Sequence, residues 1–403
     1  MITPENTPTP GEPSRREFLA ASLAGLVGLA CGAPKRIPVD IHSMEQSDLL
    51  YVGTYTGGGR TEGIYLVRMD TRSGKLSLGG SLDAGASPSY LTIHPNGRVL
   101  YAVNELDQYK GKASGAVSSF AIADDSGALT QIGEQLSEGA APCFVSVDRS
   151  GQVVLVANYN GGSVALFPVQ PDGSLAPAAQ VVQHKGTGPN AERQEAPHAH
   201  CILADPSDRF VLATDLGADR VFVYGLDVPG KSLRHIETDD AVMRAAAGPR
   251  HIAFHPSLPL VFVANELDST VATLRFDAER GALSQLGVQS TLPSGWTRTN
   301  YPADIHVASS GRTLYVSNRG HNSVAVFSVA DSTGALALEQ TVSTEGDWPR
   351  NFTLHPSGRW LLVANQRSNS VVVFERDQGT GRLKPTGERI TIPSPACLRF
   401  RNS

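Results

Sequence analysis

A chain of 403 residues, 40% hydrophobic and only 18% charged, has enough apolar material for a sizeable core, and its length alone would suggest two or three domains. A net charge of -5 offers no basic surface of the kind nucleic-acid binding needs, which argues against a nucleic-acid partner. A periodic all-β pattern overrides the length, and one large domain is expected.

In chain order, the first 31 residues are of another kind. Ser14-Arg15-Arg16-Glu17-Phe18-Leu19-Ala20, followed by a small and apolar run to Ala30, resembles a twin-arginine export signal, which delivers proteins already folded. The apolar run is about 13 residues long, short of the roughly 20 that a spanning helix needs. Cys31 after Gly28-Leu29-Ala30 resembles a bacterial lipoprotein cleavage site, in which the cysteine is lipidated and becomes the new N-terminus. Leu stands at the second position before Cys instead of the third, so lipidation and simple signal cleavage both stay open. The expected setting is the periplasm, free or tethered to a membrane through Cys31. Residues 32–47 are Pro-containing, polar and aperiodic, as a tether would be.

Residues 48–403 read as repeats of one unit. In GPRHIAFHPSLPLVFVANELDSTVATLRF (Gly248 to Phe276), a short apolar run ends in a His-Pro turn, a β-branched run leads to Asn265, and a third strand follows. A more polar strand after Gly281-Ala282-Leu283 makes four, the signature of a propeller blade. Thr54, Asn104, Asn158, Asp215, Asn265, Asn318 and Asn365 mark the end of the second strand in successive units, at gaps of 50, 54, 57, 50, 53 and 47 residues. The fold class is therefore all-β, a seven-bladed propeller. The C-terminal SPACLRF is a first strand with nothing after it and LLYVGTY is a second strand with nothing before it, so the two ends are expected to close the ring within one blade. Cys143, Cys201 and Cys397 fall in first strands of different blades without any CxxC, which points to buried free thiols.

In a blade the first strand lines the channel, and its start shares a mouth with the end of the second. Strand-one starts align as Ser89, Cys143, His200, Arg250, Ala303, Arg350 and Ala396; strand-two ends as Tyr55, Glu105, Tyr159, Leu216, Glu266, Arg319 and Gln366. Where both fall in one hairpin they are 16 residues apart, which predicts a constant cross-strand pair such as Arg250 with Glu266. Scaffold positions repeat between units while these rim positions differ, so one mouth collects unlike polar groups. Taken singly, Arg250 and Glu266 also fit a plain ion pair, and His200 a hydrogen-bonded spacer. His94, His255 and His355 in the His-Pro turns, and the recurrent Asn, read as turn and backbone partners. His198 and His200 share a strand face, but without a third His or a carboxylate cluster in sequence no metal site is expected, and no cofactor. The insertion Gln183 to Ala196 and the loop Ser294 to Tyr301 enter the same mouth. No P-loop, GxSxG or HExxH occurs, which disfavours nucleotide hydrolysis, an α/β-type esterase and a zincin.

PHAHCILADPSDRFVLATDLGADRVFVY, GPRHIAFHP with VANELDSTV, ADIHVASSGRTLYVSNRGHNSVAVF and WPRNFTLHPSGRWLLVAN resemble the seven-bladed lactonase family, which contains the cycloisomerase-type 6-phosphogluconolactonase and the fungal carboxymuconate-lactonizing enzyme. The resemblance covers about Leu49 to Phe400. It implies a metal-independent lactonase opening a small-molecule lactone, with His200, Arg250, Glu266 and Arg319 catalytic. His198, Asp304, Arg350, Asn351 and Glu105 are expected to bind substrate, in a monomer or weak oligomer. Arginines would hold the carbonyl's developing charge, and Glu266 or His200 would deprotonate water; Glu266 is the first choice, weakened by the low pKa that an arginine partner imposes. A lactone-forming cycloisomerase and a non-catalytic binding propeller are the other readings.

Overall fold

The computed structural model describes residues 47–57 and 60–401, so the export-signal segment, Cys31 and all of the tether but Ser47 lie outside the described residues. Seven antiparallel sheets of four strands form the blades, blade 4 carrying an extra two-residue strand, Ala241–Val242. The innermost strands are Pro395–Phe400 in blade 1, then Pro88–Ile93, Pro142–Val147, Ala199–Ala204, Pro249–Phe254, Tyr301–Val307 and Pro349–Leu354 in blades 2 to 7. Pro395–Phe400 pairs with Ser47–Thr54, so the two ends of the ring close within one blade, as the orphan strands imply.

Burial explains the sequence pattern strand by strand. A second strand such as Leu260–Asn265 is covered on both faces by neighbouring blades and is buried at every position, hence its unbroken apolar run. The fourth strand Leu283–Ser290 lies on the rim of the disc, mostly exposed, and reads as polar. Repeated polar residues sew blade to blade. Tyr51, Tyr101 and Tyr315 donate their hydroxyls to the carbonyls of Gly127, Gly173 and Gly381 in the next blade. Gly381 sits at φ +74°, where a side chain would also strike Thr313. His94 and His255 reach the carbonyls of Gly151 and Gly311, and the marker Asn104, Asn158, Asn318 and Asn365 donate to loop carbonyls, in the scaffold roles expected of them. Removing one such stitch, in Tyr101→Phe, should lower the unfolding free energy by about 1 kcal/mol in a denaturant titration.

The ladder register corrects the expected cross-strand pair. Pro249 faces Asn265 and His251 faces Ala264, so Arg250 has no opposite number: it is the extra residue of a β-bulge. Ser89, Cys143, His200, Arg350 and Ala396 are skipped in the same way, and in blade 6 the shift spans Ala303 and Asp304. Every blade thus bends its innermost strand at the residue that enters the mouth. A bulge also breaks the two-residue alternation, so neighbours such as Arg250 and His251 can both face the channel.

Candidate active site

Glu266 is the hub. Arg193 donates to its Oε1 at 2.7 Å, Arg319 to its Oε2 at 2.6 Å, and Arg250 Nε lies 3.0 Å from Oε2 without hydrogen-bond alignment. Arg250 also donates through Nη1 to the Ala303 carbonyl and to His251 Nε2 at 3.2 Å. Arg319 is fixed by the Tyr301 carbonyl at 3.2 Å and lies near the rings of both Tyr301 and Trp348, at 5.9 and 5.5 Å from their centres. Arg250, Glu266, Arg319 and His200 are 2, 4, 4 and 5% exposed, so their charges act with little screening by water. Burial alone would raise the Glu266 carboxyl, but Arg319, Arg250 and Arg193 overrule it and hold it below the ordinary carboxylate range.

His200 closes a circuit with this hub. Its ring stands edge-on to Tyr159 at 5.4 Å and to His251 at 5.2 Å, with Cys143 Sγ 3.6 Å from Nδ1. The Tyr159 hydroxyl accepts from Arg193 at 3.1 Å, which leads back to Glu266. Burial first, then Arg250, His251 and Arg350, pushes the His200 imidazole well below its usual value. It is neutral at physiological pH and no described protein group hydrogen-bonds its Nε2. His251 is pushed down to about 3 by burial and Arg250, against the upward pull of Asp304. The unfolded chain protonates both rings near pH 6.5, so their contribution to stability is complete above that value and is lost as pH falls toward the folded values. Unfolding free energy measured from pH 7 to 4 should therefore fall on acidification, by up to about 1.4 kcal/mol per pH unit per histidine, with a shallower slope in His200→Gln.

The other expected positions fall into two places. Glu105 and Arg350 share the mouth: Glu105 accepts from Tyr55 at 2.7 Å and from Ser89, and Arg350 lies over the Tyr55 ring with Nη2 3.9 Å from Glu105. His198 stacks on Tyr159 at 4.5 Å, its nitrogens engaged by the Tyr159 carbonyl and Glu195. Asp304 and Asn351 lie deeper. Asp304 accepts from Asn351, from the Ile305 and Phe352 amides and from the His251 and His306 rings, while Asn351 takes the Leu398 amide at 2.7 Å. Among the described residues, no three His, Cys, Asp or Glu form a metal-holding group. Cys143, Cys201 and Cys397 are free and buried.

Two participants were not singled out in the sequence. Arg193 comes from the insertion before blade 4, held there by buried Gln194, which donates to the Leu216 carbonyl at 2.8 Å. The polarity of that insertion marked the loop but not which side chain turns inward. His251 was hidden because strict strand alternation would aim it away from Arg250.

The chain matches the family described as "Lactonase, 7-bladed beta-propeller" over residues 49–400. It is 40% identical over 350 residues to a Bacillus subtilis (strain 168) protein named 6-phosphogluconolactonase, covering 87% of this chain and 97% of that protein. Among solved structures, a Pseudomonas aeruginosa periplasmic gluconolactonase superposes with a TM-score of 0.82 at 34% identity, over 88% of this chain and 99% of that one. A putative 6-phosphogluconolactonase from Bacteroides fragilis gives 0.81 at 33% identity, over 89% and 99%. With a ring of seven blades, one polar mouth and a match running from the first described strand to the last, the chain belongs to the seven-bladed β-propeller lactonase family.

Proposed function

We propose that this protein is a lactonase that hydrolyses a sugar δ-lactone to the open-chain acid at the mouth holding His200 and Glu266. The observation that carries the reading is a neutral histidine beside a carboxylate shared by three arginines. Four arginines, Arg193, Arg250, Arg319 and Arg350, face two carboxylates, Glu266 and Glu105. The surplus positive charge suits an uncharged lactone that becomes an oxyanion when water adds to its carbonyl. In this scheme His200 Nε2 takes a proton from the attacking water and returns it to the ring oxygen as the C–O bond breaks. Glu266, first choice as base on sequence, is so firmly ion-paired that it serves to position the arginines. Arg319 and Arg350 meet the oxyanion, while Asp304 and Asn351 hold His251, and through it Arg250, from below.

The twin-arginine-like segment, together with a relative named a periplasmic gluconolactonase, supports an exported enzyme acting on an unphosphorylated lactone. Acid release from gluconolactone and from 6-phosphogluconolactone, each corrected for spontaneous hydrolysis, tests the reading. Faster turnover of gluconolactone is the expected result, and no acceleration of either lactone overturns it. Arg193, whose side chain is a third exposed, covers the mouth. Arg193→Ala should raise KM for the lactone about tenfold and shift the melting temperature by less than about 2 °C.

A further inference from the structure

The rings of Tyr90, Phe144 and His251, from blades 2, 3 and 5, meet with centroids 4.3, 5.7 and 5.2 Å apart. At the end of the blades opposite the His200 mouth, where the innermost strands of blades 6 and 7 run into their turns, lies a cavity of about 400 Å³, within the range of small-ligand sites. Ser309, Thr353, His306, His355, Arg376 and Arg399 are among its lining residues.

Two guanidiniums face this cavity. Buried Arg376 donates Nε to the Tyr315 hydroxyl at 2.6 Å and Nη1 to the Gly358 carbonyl at 3.0 Å. Half-buried Arg399 lies 4.8 Å over the Tyr90 ring and gives Nη1 to the Leu398 carbonyl at 2.8 Å. Among the described residues neither guanidinium has a carboxylate within ion-pair distance, although Arg399 is also hydrogen-bonded to Tyr90 and feels Asp304 at longer range, as Arg376 feels Asp377. The nearby carboxylates are engaged elsewhere, Asp304 by His306 at 3.0 Å and Asp48 by His355 at 2.8 Å. Neither arginine has a nitrogen that is both buried and unpaired, so the donors left over are open to solvent, where an anion can reach them.

We propose that this second mouth is a binding site for a compact oxyanion, a carboxylate or a phosphate monoester, held between Arg376 and Arg399 with the Ser309 and Thr353 hydroxyls beside it. Guanidinium forks match either group with paired N–H donors. The site is independent of the lactonase reading, because none of its lining residues belongs to the group around Glu266 and His200.

Calorimetric titration of the whole protein with inorganic phosphate, and separately with acetate, neither of them the product of the proposed lactonase, tests it. Saturable binding of at least one anion is expected, weakened tenfold or more in Arg399→Gln, and largely kept in Arg319→Gln at the opposite mouth. Ser309→Glu, on an exposed turn that tolerates substitution, places a competing carboxylate at the cavity and should abolish the binding while raising the melting temperature. The stronger of the two anions identifies the ligand class. Binding that survives Ser309→Glu unchanged, loss confined to Arg319→Gln, or no saturable heat with either anion overturns the proposal.

Discussion

Glu266→Gln is expected to lower folding stability by about 3–5 kcal/mol, because it removes the one negative charge shared by Arg193, Arg250 and Arg319 and leaves three cations facing one another. For a ring of this size that corresponds to a fall of about 5 °C in melting temperature, readable by calorimetry. Activity should fall with it. The arginines are held by Glu266 at 2.6 to 3.0 Å, and a neutral amide would let them spread, so kcat/KM on the lactone should drop about 10²- to 10³-fold, the usual effect of losing a placed oxyanion donor. A Glu266→Gln protein that melts like the parent would contradict the hub.

His200→Gln separates chemistry from architecture. The ring is buried but makes only weak polar contact, with Cys143 Sγ at 3.6 Å, so its loss should move the melting temperature by no more than about 2 °C. If His200 shuttles the proton, kcat should fall about 10²- to 10⁴-fold with KM little altered, and the loss should not be recovered by raising pH. Equal losses in KM and none in kcat would assign the proton transfer elsewhere. The two variants thus divide the mouth into a residue that moves a proton and a residue that holds charges in place.

Much of this molecule is legible in its sequence, for physical reasons that can be named. Blade number follows from the polar residue that ends each second strand, Asn in five of the seven, four of which donate to a loop carbonyl in the same way. Ring closure follows from two orphan strands, LLYVGTY and SPACLRF, each lacking a partner nearby in sequence. The gathering of His200, Arg250, Glu266 and Arg319 at one mouth follows from repeat alignment alone. The bulges do not. An extra residue inserted at the same point of every blade leaves the 16-residue spacing intact, so a periodic reading has no means of detecting it. Misreading the bulge hid His251, which follows Arg250 directly and reaches the channel because the alternation is broken; Asn351, in the same relation to Arg350, was expected only through the family resemblance. Arg193 was obscure for another reason, as the path of a long insertion is fixed by contacts such as Gln194 with Leu216 that no period encodes.

The meeting of Tyr90, Phe144 and His251 has a kinetic corollary. Rings packed together below the mouth make the opening past Arg193 the way in for lactone and the way out for acid in the proposed scheme. The anionic product leaves against the pull of the guanidiniums that drew it into being, so in the proposed scheme the charges that favour ring opening are the same ones that hold back release.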